Sequence, residues 1–193
     1  MADKLDRYRG KRDFARTAEP SGANDGVSGD DRRFVIQHHL ATADHYDFRL
    51  EIDRALVSWA VPKGPSTDPR VRRMAKRTED HPLGYADFEG VISKGQYGGG
   101  TVQVWDRGTF RNVSNDKGVA VAAGDALERG HLSFVLAGQK ISGGYSLIRT
   151  RGENMWLLIK KKDATADARR NPTSTQGESV LTGRTLRQIA DDG

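Results

Sequence analysis

The stretch HYDFRLEID, residues 45–53, alternates side chains that can do chemistry with large apolar ones. Side chains at positions i, i+2 and i+4 of a β-strand share one face. One face of this predicted strand would point into a core, and it carries Tyr46, Phe48, Leu50 and Ile52. The opposite, outer face carries an imidazole, two carboxylates and a guanidinium, on His45, Asp47, Arg49 and Glu51.

The outer face of this strand predicts a metal site. His45 and Asp47 would lie about 7 Å apart along the strand, so one cation can reach both, and His39, beyond a bend at ATAD, could supply a third ligand. Two imidazoles and a carboxylate are typical of a catalytic metal site, and such ligands suit Mn²⁺, Fe²⁺ or Zn²⁺. Arg49 adds a guanidinium suited to phosphate, which indicates phosphoryl or phosphodiester chemistry. The alternative is a surface strand with a mixed-charge ladder.

Two further segments could contact phosphate. TEDHPLGYADFEG, residues 78–90, contains His81 and Tyr85, which can both donate to a phosphate oxygen. AVPKGPSTDPRVRRMAKR, residues 60–77, is basic and broken by three prolines, and we interpret it as a loop. Basic loops of this kind contact phosphate backbones without reading bases. An ordinary polar turn and a solvated loop are the alternative interpretations of the two segments.

Composition narrows the function classes. The 193-residue chain has 31 Lys and Arg against 26 acidic residues, and this excess suits an anionic partner such as nucleic acid, or only a solvated surface. Cysteine is absent, which excludes disulfides and thiolate metal sites. No apolar run approaches the ~20 residues that span a bilayer. The N-terminus lacks the apolar core of a signal peptide, so we expect a cytoplasmic protein that does not enter a membrane.

Three zones follow one another along the chain. Residues 1–30 are charged and then rich in Gly, Ser, Asn and Asp, which predicts a short helix or arm followed by a flexible link. Residues 31–163 contain nearly all the β-branched and aromatic residues and form the predicted folded domain. Residues 164–193 are polar again and predict a linker or tail.

The middle zone predicts a mainly β fold. Its candidate strands are RFVIQHHL, HYDFRLEID, ALVSWAVP, VQVWDRGTF, HLSFVLAGQ, GYSLIRT and NMWLLIKKK. A tight turn at Asp53-Arg54 would join two of them, and one helix is predicted near residues 116–129. Many short strands separated by turns are typical of a barrel or a sandwich.

Taken together and in this order, these segments resemble the 3′-phosphoesterase module of bacterial DNA ligase D. The resemblance covers about residues 8–163, and HYDFRLE and EDHPLGYADFEG are its most specific motifs. It implies a small closed β-barrel with a few short flanking helices and an active site on a concave outer surface. SVLTGRTL, in the tail, is similar to the linker that follows this module in such ligases.

The resemblance also implies roles for individual residues. The metal ligands would be His39, His45 and Asp47. The phosphate-binding and catalytic set would be Arg49, His81 and Tyr85. The positions tied to removal of a 3′-terminal ribonucleotide are occupied by Arg12, Asp13, Glu19 and Glu79. The positions linked to removal of the remaining phosphate are occupied by Lys63 and Arg73.

The activity that the resemblance implies is the healing of 3′ ends during non-homologous end joining. Given a primer–template duplex with a 3′-ribonucleotide, the family first cleaves to leave a 3′-phosphate and then removes that phosphate, usually with Mn²⁺. The implied partners are DNA or RNA-tipped DNA 3′ ends, and ligase and polymerase modules of the same pathway. We expect a monomer in the bacterial cytoplasm that associates with the nucleoid when it acts on DNA.

Two other functions agree with parts of the sequence. A non-catalytic DNA-end-binding module would use the basic loop 63–77 to recruit a polymerase and a ligase, and it would need no metal. A metal-dependent barrel enzyme acting on a small molecule would show no preference for duplex ends. Binding that weakens steeply with salt would favour a nucleic-acid substrate over a small molecule.

Overall fold

The computed structural model describes residues 3–22 and 32–193, which form a mainly β molecule. Its strands are β1 (Arg32–Leu40), β2 (Asp44–Ile52), β3 (Ala55–Val61), β4 (Arg72–Arg77), β5 (Gly90–Ile92), β6 (Gly100–Asn112), β7 (Asn115–Asp116), β8 (Val119–Ala120), β9 (His131–Gly138), β10 (Ser142–Arg149) and β11 (Met155–Lys160). Its short helices are α1 (Asp6–Arg9), α2 (Ala123–Glu128), α3 (Pro172–Thr175), α4 (Leu186–Asp191) and a 3₁₀ helix, Leu83–Asp87. None of the helices in these ranges is long and apolar enough to cross a membrane.

Eight strands close into an antiparallel barrel, in the order β1-β2-β3-β4-β11-β10-β9-β6. The pairing of β6 with β1 completes the ring, and β5 extends the sheet from the start of β6. β7 and β8 form a separate hairpin. Each strand predicted from the sequence is present, and the predicted closed β-barrel with a few short helices is confirmed.

Strand β2 distributes its side chains as its alternating sequence predicts. Its apolar residues are buried in the barrel core: Tyr46, Phe48, Leu50 and Ile52. The chain then turns into β3 through Asp53 and Arg54, whose φ angles are 50° and 66°. Two successive residues in the left-handed region are what a two-residue hairpin needs to match the twist of its strands. The predicted tight turn is therefore confirmed.

The outer face of β2 is covered by a second layer. Arg49 and Glu51 are each only 2% exposed. A second apolar cluster packs over this face, and it includes Tyr8 of the N-terminal arm together with Leu83 and Tyr85 of the 3₁₀ helix. The polar side chains of β2 therefore lie between two apolar layers, where electrostatic interactions are stronger than in water.

Two segments differ from their predictions. Strand β4 lies where the sequence predicted a basic loop, and it pairs with β3 and with β11. The helix predicted over residues 116–129 is confined to α2. Its first part instead forms the β7–β8 hairpin, because Lys117 and Gly118 adopt φ angles of 50° and 87° and reverse the chain.

The N-terminal arm is anchored to the barrel. The Tyr8 side chain is fully buried, and its hydroxyl donates to the Pro20 carbonyl at 2.7 Å. The arm therefore folds back on itself before the chain enters β1. Most of the flexible link predicted after the arm falls on residues 23–31, which lie outside the described residues.

The C-terminal segment, predicted as a polar linker or tail, lies against the barrel. Trp105 Nε1 donates to the Gln176 carbonyl at 2.7 Å, and the Val180 amide donates to the Val104 carbonyl at 2.9 Å. Further along, Ile189 of α4 is buried beside β5 and β6. A segment of polar composition can dock in this way because several of its contacts to the barrel are made by its own backbone.

We expect Ile189→Ala to lower the free energy of unfolding by about 2–4 kcal/mol, because it removes a buried side chain and leaves a cavity. Arg187→Ala, on the same helix and 92% exposed in its side chain, should change that free energy by less than about 0.5 kcal/mol. Urea unfolding of the two variants measures both effects. Equal, small effects would show that α4 does not pack on the barrel in solution.

Candidate active site

The metal ligands predicted from the sequence lie close together on the barrel wall. His39 of β1 stands directly opposite His45 of β2, and Asp47 lies two residues further along β2. One ligand atom from each side chain lies within 4.8 Å of the other two. A transition metal bound at about 2.1 Å needs ligand atoms roughly 3.0–3.5 Å apart. Small side-chain movements would complete such a site.

Backbone carbonyls fix which nitrogen each histidine offers. His39 Nε2 donates to the Gly98 carbonyl at 2.9 Å, which leaves Nδ1 at 3.6 Å from Asp47 Oδ2. His45 Nδ1 donates to the Ala43 carbonyl at 2.9 Å, which leaves Nε2 at 3.7 Å from Asp47 Oδ1. Metal-binding histidines typically donate their second N–H in this way. These residues therefore fit a divalent cation held by two imidazoles and one carboxylate.

Arg49 places a fixed positive charge beside this cluster. Its guanidinium donates to Asp47 Oδ2 at 3.0 Å, to Gln37 Oε1 at 2.8 Å and to Ser58 Oγ at 2.8 Å. Burial alone would raise the pKa of Asp47, but Arg49 holds that pKa well below its usual range. Asp47 therefore remains anionic, and Arg49 is held in one orientation.

His81 completes the contacts of Arg49 and is neutral. It is positioned by a bridge to β3, in which the backbones of His81 and Leu56 exchange hydrogen bonds of 2.8 and 3.0 Å. Burial, and then the Arg49 charge, lower the pKa of His81 well below its usual value. Its Nδ1 lies 2.9 Å from Arg49 Nη1 and 3.0 Å from the Glu79 carbonyl. A guanidinium can only donate and a carbonyl can only accept, so Nδ1 can form a hydrogen bond with only one of these two partners. We assign Nδ1 as the acceptor of the shorter contact, from Arg49, which makes Nε2 the protonated nitrogen.

Tyr85 lies in the 3₁₀ helix beside these groups. Its ring packs edge-on against His81, with ring centroids 4.8 Å apart, and the Arg49 guanidinium lies 5.0 Å from its centroid. Burial raises the pKa of the Tyr85 hydroxyl well above its usual value, so the group remains a hydrogen-bond donor. Gln37 fixes the helix, because its Nε2 donates to the Tyr85 carbonyl at 2.9 Å.

An ion network joins the N-terminal arm to the site. Arg12 donates to Glu19 at 2.8 Å and to Glu79 at 2.9 Å, and all three side chains are buried. The Arg12 guanidinium also lies over the Tyr8 ring, 3.8 Å from its centroid. Removing a partner from such a buried network would leave an uncompensated charge. The arm is therefore part of the wall of the site.

These groups line one cavity of about 180 Å³ on the outer side of the barrel. The predicted site residues that it brings together are Arg12, Glu19, His39, His45, Asp47, Arg49, Glu79, His81 and Tyr85. Asp13 is not among the lining residues, and its carboxylate accepts from the Ala15 amide within a turn of the arm. Lys63 and Arg73 line a separate recess.

Sequence reasoning missed several residues of the site. Gln37 and Ser58 hold Arg49 in place, and each carried a signal: Gln37 shares a strand face with His39, and Ser58 is a lone hydroxyl in an apolar strand. Lys11 and Tyr97 carried none. Lys11 donates to Tyr97 Oη at 2.9 Å and so joins the arm to the glycine-rich segment GQYGGG, residues 95–100, which leads from β5 into β6.

Comparison with known proteins agrees with this geometry. The family described as the DNA Ligase D 3′-phosphoesterase domain matches residues 37–149. The multifunctional non-homologous end joining protein LigD of Pseudomonas aeruginosa is 48% identical over 188 residues, which cover 94% of this chain and 22% of that protein. The multifunctional non-homologous end joining DNA repair protein LigD of Mycobacterium tuberculosis is 46% identical over 163 residues, which cover 84% of this chain and 20% of that protein.

The chain therefore spans about a fifth of the length of the curated relatives that it matches. The family match includes all three candidate metal ligands, Arg49, His81 and Tyr85, whereas the N-terminal arm lies before it. Because the match covers more than half of the chain, the chain belongs to the DNA ligase D 3′-phosphoesterase domain family.

Proposed function

We propose that this chain is a metal-dependent phosphoesterase that heals 3′ ends during non-homologous end joining. It would remove 3′-terminal ribonucleotides and 3′-phosphates from primer–template ends and leave a 3′-hydroxyl that can be ligated. The observation that carries this proposal is the convergence of His39, His45 and Asp47 with the Arg49 guanidinium in one cavity. A cation site next to a fixed guanidinium suits a phosphate ester, whose negative charge grows during the reaction.

Several groups in the cavity would each bind a different oxygen of the phosphate. A divalent cation bound by the cluster would neutralise charge on the phosphoryl group, and we propose Mn²⁺, although other divalent transition metals suit these ligands. Four of the five guanidinium N–H groups of Arg49 contact protein partners, which leaves one Nη2–H for a phosphate oxygen. His81 Nε2–H and the Tyr85 hydroxyl would donate to the other oxygens.

The arm provides the side of the cavity that would receive the ribose. The carboxylates of Glu19 and Glu79 face Arg12 there. A carboxylate oxygen can accept a hydrogen bond from a ribose 2′-hydroxyl, but a carboxylate has no N–H or O–H with which to bind a phosphate. We therefore place the ribose next to the arm and the scissile phosphate next to Arg49. A 2′-hydroxyl on the sugar that precedes this phosphate can then take part in the cleavage.

The wider context is part of the same proposal. The relatives are named as multifunctional end-joining proteins, so we propose that this module works with ligase and polymerase modules on primer–template ends. We propose that it does so as a monomer in the bacterial cytoplasm, at the nucleoid.

The experiment uses a 5′-labelled primer, annealed to a template, that ends in two ribonucleotides. With Mn²⁺ we expect a shortened 3′-phosphate product first and its 3′-hydroxyl form later, resolved on a gel; EDTA should prevent both. A matched primer with a 2′-deoxy penultimate sugar should remain uncut, because it lacks the neighbouring hydroxyl. End binding that EDTA leaves unchanged, without any product, would refute the proposal and favour a recruiting module.

A further inference from the structure

Strand β4 continues the surface of the candidate site. In the strand register, Asp47 stands opposite Ala60 of β3, and Ala60 stands opposite Lys76 of β4. Directly paired residues share a sheet face, so Lys76 lies on the same face as Asp47 and two strand spacings away, about 10 Å. Ala60 lines the cavity, so the cavity extends to β3, the strand that pairs with β4.

The outer face of β4 is cationic with an apolar centre. Arg72 and Lys76 are exposed on it, and Met74 between them is 51% exposed. Arg72 and Lys76 are four residues apart, which corresponds to about 13 Å along the strand. Cations at this spacing, with a thioether between them, suit the alternating phosphates and sugars of a nucleic-acid strand.

Within the described part of the chain, no acidic side chain pairs with these cations. Across residues 3–22 and 32–193, Arg72, Lys76 and Lys63 form no ion pair and no side-chain hydrogen bond. Arg73 Nε is buried without a hydrogen-bond partner in the same described ranges. The recess formed by Pro62, Lys63, Arg72, Arg73 and Met74 therefore concentrates positive charge along β4 and the segment that follows β3.

We propose that the outer face of β4, through Arg72 and Lys76, binds the backbone phosphates of the strand that carries the 3′ end, upstream of the terminal nucleotide. The inference rests on the proposed function, because it takes the cavity as the place of the 3′ terminus. A row of unpaired cations that leads away from that terminus can bind the phosphates of the preceding nucleotides without contacting their bases. Arg72 and Lys76 bind and position the substrate and do not contact the reacting atoms.

The test compares Arg72→Gln/Lys76→Gln with the matched control Arg111→Gln/Lys117→Gln. The control loses the same charge, from Arg111 at the far end of β6 and from Lys117 in the turn between β7 and β8, whereas His39 pairs with the near end of β6. Anisotropy titrations in EDTA measure binding of a 3′-phosphorylated 12-mer, single-stranded or annealed to a template, over a series of KCl concentrations. A 3′-phosphorylated mononucleotide, which has no backbone phosphate upstream of its terminal nucleotide, serves as the second ligand.

We expect the variant Arg72→Gln/Lys76→Gln (the β4 variant) to bind the annealed 12-mer roughly tenfold more weakly than the wild type at moderate salt. The slope of log K against log salt should shrink by about 1.8 for the annealed 12-mer and by about 1.4 for the single strand. The control should keep the wild-type slope, and Arg72→Lys/Lys76→Arg should restore it. The mononucleotide should bind all variants equally. Identical slopes for the β4 variant and the wild type, or an equal loss in the control, would overturn the inference. Since binding is measured without metal, failure of catalysis alone would count against the proposed function and not against this surface.

Discussion

Asp47→Asn is expected to abolish metal-dependent phosphoesterase activity while the barrel remains folded. Asn has nearly the same shape as Asp and can still accept from Arg49 through its amide oxygen, but it is a neutral and much weaker metal ligand. Loss of the cation would remove several kcal/mol of charge stabilisation at the phosphoryl group. At 1.36 kcal/mol per factor of ten, the rate should fall by about 10³-fold or more.

The matched control is Asp44→Asn, on the same strand and with the same loss of charge. Asp44 is exposed and contacts His38, outside the metal cluster, so this variant should retain activity within about threefold. Mn²⁺ titration by calorimetry should show loss of binding only in Asp47→Asn, and circular dichroism should show both variants folded. Full Mn²⁺-dependent activity in Asp47→Asn would end the assignment of this cluster as the metal site.

The strand that carries Asp47 was predictable because β2 is buried on one face along its whole length. Tyr46, Phe48, Leu50 and Ile52 alternate with polar residues, and this period of two is the one that a β-strand with one buried face requires. The pairing of His39 with His45 follows from the short turn between two such strands. Local pattern and chain connectivity therefore predicted the centre of the site.

Strand β4 was not predictable by the same rule. Its outward-facing residues, Arg72, Met74 and Lys76, lie on the solvent side of a sheet whose other side is the core. On that inner side, Ala75 is the only apolar residue of β4 that is buried in the core. Six mostly basic residues after three prolines have the composition of a loop, and what makes them a strand is pairing with β3 and β11. Long-range pairing overrides local propensity here.

The ion network of the arm could not be derived from spacing. Arg12 and Glu79 are 67 positions apart and meet only because the arm folds over the outer face of β2. The docked C-terminal segment is a similar case, since its hydrogen bonds to Trp105 and Gln103 are made by backbone carbonyls, which every sequence has. The resemblance to the family pointed to Arg12, Glu19 and Glu79, and the structure supplies the physical reason for their position.

The position of Arg49 between the cation cluster and His81 makes its shape, as well as its charge, decisive. A lysine at this position would keep the positive charge beside Asp47, but its single ammonium cannot reach Gln37, Ser58 and His81 together as the planar guanidinium does. We therefore expect Arg49→Lys to lower kcat by about 10²–10³-fold, the usual effect of losing one well-placed donor to a developing negative charge. Metal affinity should change little, because Asp47 keeps a cationic neighbour.

Arg49→Ala should have a further effect that Arg49→Lys does not have, because it leaves the buried Asp47 charge without a partner. Without metal, we expect the free energy of unfolding to fall by about 3–5 kcal/mol. Bound Mn²⁺ should recover part of this loss, because it binds the folded state and neutralises the same carboxylate. Thermal unfolding of Arg49→Ala with and without Mn²⁺ measures this recovery. The control for the activity of Arg49→Lys is Arg33→Lys, because Arg33 pairs with Glu51 outside the cavity. If Arg49→Lys were as active as the wild type, charge alone would suffice at this position, and the fork of hydrogen bonds around Arg49 would have no part in binding the phosphate.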